Sequence, residues 1–295
     1  MPTQTEDGFV MANGLQIHYR RGLATDDRFK LPPMLLLHGL ASSSHIWNLV
    51  APFLNGYGYS VTALDQRGHG ESEKPDSGYD FATILADDAA AVAVLKIEHP
   101  VLVGHSWGAM VALQFAAQHV EQVDALVLVD GATNQLSTRP GWSREQAIKD
   151  LAPPRFAGTP RETFLSYYRS SPLGEYWSSE LEESVLNIVQ LREDDTVAPR
   201  LDYENHLQII GAMWDQPTFE LFRKVLCPVT LIVADQEPRN EAMKDFMKMR
   251  KQGIAHIQEV RPDVRLIVMQ NTMHDIPLQR PAELAKLIVE VGAVA

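Results

Sequence analysis

The sequence predicts an α/β fold, a mostly parallel eight-stranded sheet with helices on both faces and an inserted helical lid. Three observations carry that expectation. Short continuous apolar runs such as Met34-Leu35-Leu36-Leu37 and Val101-Leu102-Val103 read as strands covered on both sides, as parallel sheets require. These runs alternate with helix-like stretches over short connections, the pattern of repeated crossover units. From about residue 132 to 216 the alternation stops, and the chain turns polar, helix-like and interrupted by Pro140, Pro153, Pro154, Pro160, Pro172 and Pro199. The expected organisation is therefore a core of residues 1–131 and 217–295 and a helical lid of residues 132–216.

Taken in order, Phe9-Val10-Met11 and Leu15-Gln16-Ile17-His18-Tyr19 flank an Asn13-Gly14 step, which predicts an antiparallel hairpin. A polar loop through Asp26, Asp27 and Arg28 leads to the third strand, 34–37, and a helix is expected near 46–54. The run at 59–64 is the fourth strand. Behind it Phe81, Ile84, Leu85, Val92 and Leu95 fall on one helical face, with Asp80 available as N-cap. The fifth strand, 101–103, runs into a helix at 109–117, and the sixth, 123–129, ends in Asp130-Gly131. Beyond the lid come strands at 229–233 and 264–269 with a helix around 241–252 between them. The closing helix carries Leu284, Leu287, Ile288 and Val291 at helical spacing.

Acidic residues number 38 against 26 basic ones, a formal net charge of −12. A field of that sign repels phosphate backbones and anionic membranes, so neither nucleic acid nor a membrane is an expected partner. The single cysteine, Cys227, has no internal disulfide partner and reads as a small buried hydrophobe before an apolar run. Residues 1–8 show neither a basic region nor an apolar stretch, and no segment is long enough to span a bilayer, so a soluble, cytoplasmic protein is expected.

Chemistry concentrates at Gly104-His105-Ser106-Trp107-Gly108, between the fifth strand and its helix. A serine hydroxyl is a weak nucleophile until a strained turn exposes it beside a base. The flanking glycines allow such a turn, and the strand, turn and helix give the G-x-S-x-G pattern the context of a nucleophile elbow. His274, in the loop after the final strand, is the expected base. Strand-end loops of a parallel sheet gather on one edge, so a residue 168 positions away reaches Ser106. Three carboxylates at strand ends compete for the role of orienting acid: Glu237, Asp130 and, between them as a substitute, Asp235. The backbone amides of Leu40 and Trp107 are the expected oxyanion donors. His38 and Gly39 belong to the expected substrate-binding wall, the His38 side chain as a structural rather than a catalytic group, and His105 reads as a packing residue. Most lid aromatics fill the lid's own small core, while Trp142, Trp177 and Trp214 are the candidates to meet a substrate.

These residues resemble the α/β-hydrolase superfamily across nearly the whole chain: the His38-Gly39 strand end, the Asp65-Gln66-Arg67-Gly68-His69-Gly70-Glu71-Ser72 loop, the 104–108 elbow and the His274 loop before Pro277. The resemblance implies a serine hydrolase with a lid, similar to carboxylesterases, lactonases and carbon–carbon bond hydrolases, in which the 65–72 loop is structural. The family's usual acid position matches Ala234-Asp235-Gln236-Glu237, with Glu for Asp and Ala for Gly. Some members, such as certain haloalkane dehalogenases, take the acid from the end of the sixth strand, where Asp130 stands. Those dehalogenases and the epoxide hydrolases use an aspartate nucleophile, so Ser106 argues against their usual chemistry. The expected activity is hydrolysis of a small, mainly apolar carboxylic ester or lactone through an acyl-enzyme on Ser106, with no metal or organic cofactor. Carbon–carbon hydrolysis of a diketone-like substrate and a non-catalytic ligand receptor on the same fold are the alternatives.

Overall fold

In the computed structural model, which describes residues 5–23, 31–238 and 240–292, the Asn13-Gly14 step joins β1 (Thr5–Ala12) to β2 (Leu15–Gly22). Both turn residues have positive φ, 49° and 76°, as the two-residue turn of a twisted hairpin requires. The polar loop expected through Asp26, Asp27 and Arg28 lies outside the described residues. The chain then alternates β3 (Met34–Leu37), α1 (Ala51–Gly56), β4 (Val61–Leu64), α2 (Phe81–Val94), β5 (Val101–His105), α3 (Trp107–Gln118) and β6 (Ala125–Val129). Asp80 caps α2 by accepting from the Thr83 amide. The helix expected near 46–54 is divided into a 3-10 turn at Ser44–Trp47 and α1, which starts late with Pro52 in its first turn, where no amide donor is needed.

The segment after β6 is only partly helical. It holds α4 (Arg144–Asp150), β7 (Thr159–Pro160), α5 (Arg161–Arg169), α6 (Ser179–Leu186), β8 (Val189–Leu191), β9 (Thr196–Pro199) and α7 (Tyr203–Asp215). The three strands form a separate small antiparallel sheet in the order β7-β9-β8, which corrects the all-helical expectation. A turn makes it: Asp195 adopts φ +58° while the Asp194 carboxylate accepts from the Thr196 amide and hydroxyl. The main sheet resumes through α8 (Thr218–Lys224), β10 (Val229–Asp235), α9 (Glu241–Val260), β11 (Arg265–Gln270), α10 (Ile276–Gln279) and α11 (Pro281–Gly292).

The eight main strands lie in the order β1-β2-β4-β3-β5-β6-β10-β11, parallel from β4 onward. Alternate residues feed two cores. Leu35, Leu37, Leu102, Leu126 and Leu128 point to the face covered by α2, α3, α8 and α9, while Met34, Leu36, Val101, Val103, Val127 and Val129 point to the face covered by α1 and α11. That two-sided burial is why the strands read as unbroken apolar runs. Leu165, Leu173, Leu181 and Val185 of the insertion join the second core. The insertion is tied to the main body by Asn205 of α7, which donates to the Pro75 carbonyl, and by an ion pair at 2.6 Å between Arg200, just before α7, and Glu71. Cys227 is half-buried rather than enclosed, and burial pushes its thiol up to about 11.

Where β5 turns into α3 the backbone is crowded. Ser106 takes φ +55°, costing on the order of 1–3 kcal/mol for a residue with a side chain, and its amide donates to the Val129 carbonyl at 2.9 Å. A Cβ at Gly104 would stand 2.2 Å from the Gly108 carbonyl oxygen, and one at Gly108 would stand 2.4 Å from that of His38. Strand, turn and helix approach this closely only because both positions lack side chains. The expected result of Gly104→Ala is a loss of about 2 kcal/mol in urea unfolding, because the methyl group meets backbone that has no room to move.

Candidate active site

The parallel strands place the loops after β3, β5, β6, β10 and β11 along one rim of the sheet. There Nδ1 of His274 donates to Asp130 Oδ2 at 2.7 Å, which leaves Nε2 to accept the Ser106 hydroxyl at 2.9 Å. Residues 144 and 168 positions apart in the chain thus form one hydrogen-bonded line. The Asp130 side chain is 4% exposed and the imidazole 47%, so the acid is enclosed while the ring borders open space.

Of the three competing carboxylates, the imidazole therefore meets Asp130. Glu237 is exposed beyond the end of β10, and Asp235 enters the loop through its backbone carbonyl, which accepts from the Thr272 amide. The reason lies in the pairing of β6 with β10. Asp130, at φ +44°, turns its carboxylate across the end of β10, where Oδ1 accepts from the Ala234 amide at 2.9 Å. Sequence reading missed the second donor to Oδ1, Arg250 of α9, whose Nη1 lies at 3.0 Å and whose Nη2 donates to the Ala234 carbonyl at 2.6 Å. No motif marks that arginine, which sits in a helix rich in charged residues.

Burial opposes the Asp130 charge, but the hydrogen bond and charge of His274, the Arg250 cation and the Ala234 amide outweigh it and hold the carboxyl below its ordinary range. Enclosure likewise opposes a charged His274, though with nearly half the side chain open, and the Asp130 hydrogen bond and charge, helped by Asp275, raise its pKa above the ordinary 6.5. His105 donates from Nε2 to the His274 carbonyl at 2.9 Å and packs its ring 4.9 Å away. Burial and the neighbouring His274 lower His105 to about 4, so it stays neutral.

Leu40 and Trp107 keep amides available on the serine side. The Leu40 amide donates to no group among the described residues, and Trp107 opens α3, where an amide has no acceptor within the helix. Gly39 lies against the serine, since a Cβ there would come 3.0 Å from Ser106 Cβ. His38, expected on the substrate wall, is instead fully enclosed. Its Nδ1 donates to the Gly39 carbonyl and its Nε2 accepts the Gln66 amide, so no ring nitrogen is left for a ligand. His69 accepts the Ala41 amide at 3.2 Å and stacks on Trp107 at 5.2 Å. Behind them the buried Asp65 accepts from His18, from the Ser44 amide and from the Glu71 amide. The 65–72 loop is thus a brace for the 38–41 loop.

The three tryptophans have partners or places elsewhere. Trp142 lies under the Arg139 guanidinium at 3.6 Å, Trp177 donates to Glu182 at 3.1 Å, and Trp214 is half-buried near the end of α7. Among the described residues no hydrogen bond or ring contact joins them to Ser106 or His274. Tyr168 of α5 was missed as a neighbour of the histidine loop. Burial raises its hydroxyl, and the charge of Asp275, next to His274, raises it further. Among the described residues no cluster of three or more His, Cys, Asp or Glu is placed to hold a metal ion, and no helix is long and apolar enough to cross a membrane.

Residues 32–281 match the family model of the alpha/beta hydrolase fold, and the chain belongs to that family. Over 130 residues, 44% of this chain and 43% of the relative, it is 34% identical to a soluble epoxide hydrolase of a Corynebacterium species. Over nearly its full length it superposes on a thioesterase domain from the curacin biosynthetic pathway, with a TM-score of 0.73, 23% identity and 97% and 99% of the two chains covered. Its likeness to the crystal structure of E-2-(acetamidomethylene)succinate hydrolase is similar, with a TM-score of 0.72, 22% identity and coverage of 98% and 99%. The chain matches less than half the length of the curated relatives with which it aligns first.

Asp130→Asn removes the carboxylate that selects the His274 tautomer, so the expected loss in any Ser106-dependent turnover is on the order of 10³–10⁴-fold. Glu237→Gln is expected to leave the rate near that of the unsubstituted protein. Steady-state rates of the two variants on one chromogenic substrate separate the two acids.

Proposed function

We propose that this protein is a serine hydrolase that cleaves a small, mainly apolar carboxylic ester or lactone through an acyl-enzyme on Ser106, with no metal or organic cofactor. The single observation that carries the reading is the continuous line from Asp130 Oδ2 through the imidazole to the Ser106 hydroxyl, at 2.7 and 2.9 Å. His274 Nε2 takes the serine proton as Oγ attacks the substrate carbonyl, and Asp130 stabilises the imidazolium that forms. The Leu40 and Trp107 amides receive the negative oxygen, with the N-terminus of α3 adding its dipole. The imidazolium then protonates the leaving alkoxide, and water repeats the sequence to release the acid.

The epoxide hydrolase likeness supports the scaffold more than that chemistry, because the elbow here carries serine. In this reading residues 132–216 act as a lid, supported by the entry of Leu165, Leu173, Leu181 and Val185 into the core that also holds Ile276, two residues beyond His274. A net charge of −12 favours an uncharged substrate over a polyanion.

The test is hydrolysis of short-chain p-nitrophenyl esters and of a γ- or δ-lactone by the protein and by Ser106→Ala. The expected loss in the variant is at least about 10³-fold, and equal rates end the proposal. The pH dependence has a defined sign. Only neutral His274 accepts the serine proton and its pKa stands above 6.5, so kcat/KM is expected to be full at alkaline pH and to fall through an acid limb centred above pH 6.5.

A further inference from the structure

We propose that Arg250 is a positioning residue of this site: its guanidinium fixes the Asp130 carboxylate across the end of β10 and sets how strongly that carboxylate draws a proton onto His274. The inference rests on the catalytic reading of Ser106, His274 and Asp130 and concerns the regulation of the same site.

The geometry is specific. One Asp130 oxygen faces the imidazole, and the other receives both the Ala234 amide at 2.9 Å and Arg250 Nη1 at 3.0 Å. Arg250 Nη2 also binds the Ala234 carbonyl, so the guanidinium spans a side chain of the β6 loop and the backbone of β10. Both partners of the ion pair are enclosed, at 12% and 4% exposure, where solvent and salt screen little. The reach of Arg250 depends on how closely α9 lies on the loop after β6. Gly253, one turn on, makes that approach, since a Cβ there would stand 2.1 Å from the Thr133 carbonyl oxygen.

An unbalanced carboxylate would hold the proton on His274 to higher pH, whereas a cation on its far oxygen weakens that pull. The charged and titratable groups facing the ring come from every element around it. They are Asp130 after β6, Asp275 in the same loop, Arg250 from α9 and His105 from β5, the last kept neutral by burial; Tyr168 of α5 faces Asp275 with its proton retained. Among the described residues, Arg250 is the one cation of this set. It acts against two carboxylates, and the net effect is a base still available near neutrality.

The test is an NMR titration of the His274 imidazole in ¹⁵N-labelled protein, together with the pH profile of ester hydrolysis. In Arg250→Met the midpoint of the His274 titration and the acid limb of kcat/KM are both expected to move up by roughly half a unit to one unit. The plateau rate above the limb should fall by no more than about 10-fold. Arg250→Lys keeps a cation and should return the midpoint most of the way, which a merely structural role would not produce. An unchanged or lowered midpoint in folded Arg250→Met overturns the assignment. Should that variant fail to fold, Gly253→Ala, which keeps the arginine but displaces α9, is expected to shift the midpoint in the same direction by less, and no shift overturns the assignment. The titration needs no substrate, so a protein that titrates as expected but hydrolyses neither ester nor lactone refutes the acyl-transfer reading and leaves the role of Arg250 standing.

Discussion

The hydrogen bond between Asp130 and His274 Nδ1 governs the rest of the rim, because it decides which imidazole nitrogen carries the proton. With Nδ1 committed as a donor, Nε2 has a lone pair facing Ser106. A ring turned the other way, or carrying its proton on Nε2, would present a donor where the serine needs an acceptor. Much of the surrounding structure holds this one contact. The His105 ring carries the backbone of His274, the Ala234 amide and Arg250 hold the far oxygen of Asp130, and Thr272 is tied to the carbonyl of Asp235.

Backbone strain collects at the same rim. Residues other than glycine with positive φ include Ala41 after β3, Ser106 after β5, Asp130 and Ala132 after β6, and Asn271 after β11. Such conformations cost on the order of 1–3 kcal/mol each and persist where surrounding contacts hold them. The Ser106 amide donates to the Val129 carbonyl, the Asp130 amide to the Ile232 carbonyl, and the Ala41 amide to the His69 ring. The two leucine- and valine-rich cores beneath supply the stability against which this strain is set.

The sequence was most legible where one chain segment contains the whole signal. The Asn13-Gly14 hairpin, the apolar parallel strands, the glycine-flanked serine and the histidine after the final strand each declare themselves locally. The acid did not, because Asp130, Asp235 and Glu237 all stand at ends of neighbouring strands, and only the crossing from β6 to β10 distinguishes them. Arg250 was illegible for a related reason. Its meaning comes from the close approach of α9 to Thr133, which depends on a glycine that reads in sequence as a weak spot in a helix. The small sheet of the insertion escaped because its strands run two to four residues, too short for alternation to stand out from the helical text around them.

The strand order carries a consequence for how the molecule comes to life. β11 forms one border of the main sheet, pairing with β10 alone, and His274 hangs from its end. While the polypeptide is being made, the serine corner between β5 and α3 emerges long before the imidazole with which it forms its hydrogen bond. A chain folded only through β10 therefore lacks the hydrogen bond from Ser106 to His274, and the line from Asp130 closes only when the last strand pairs.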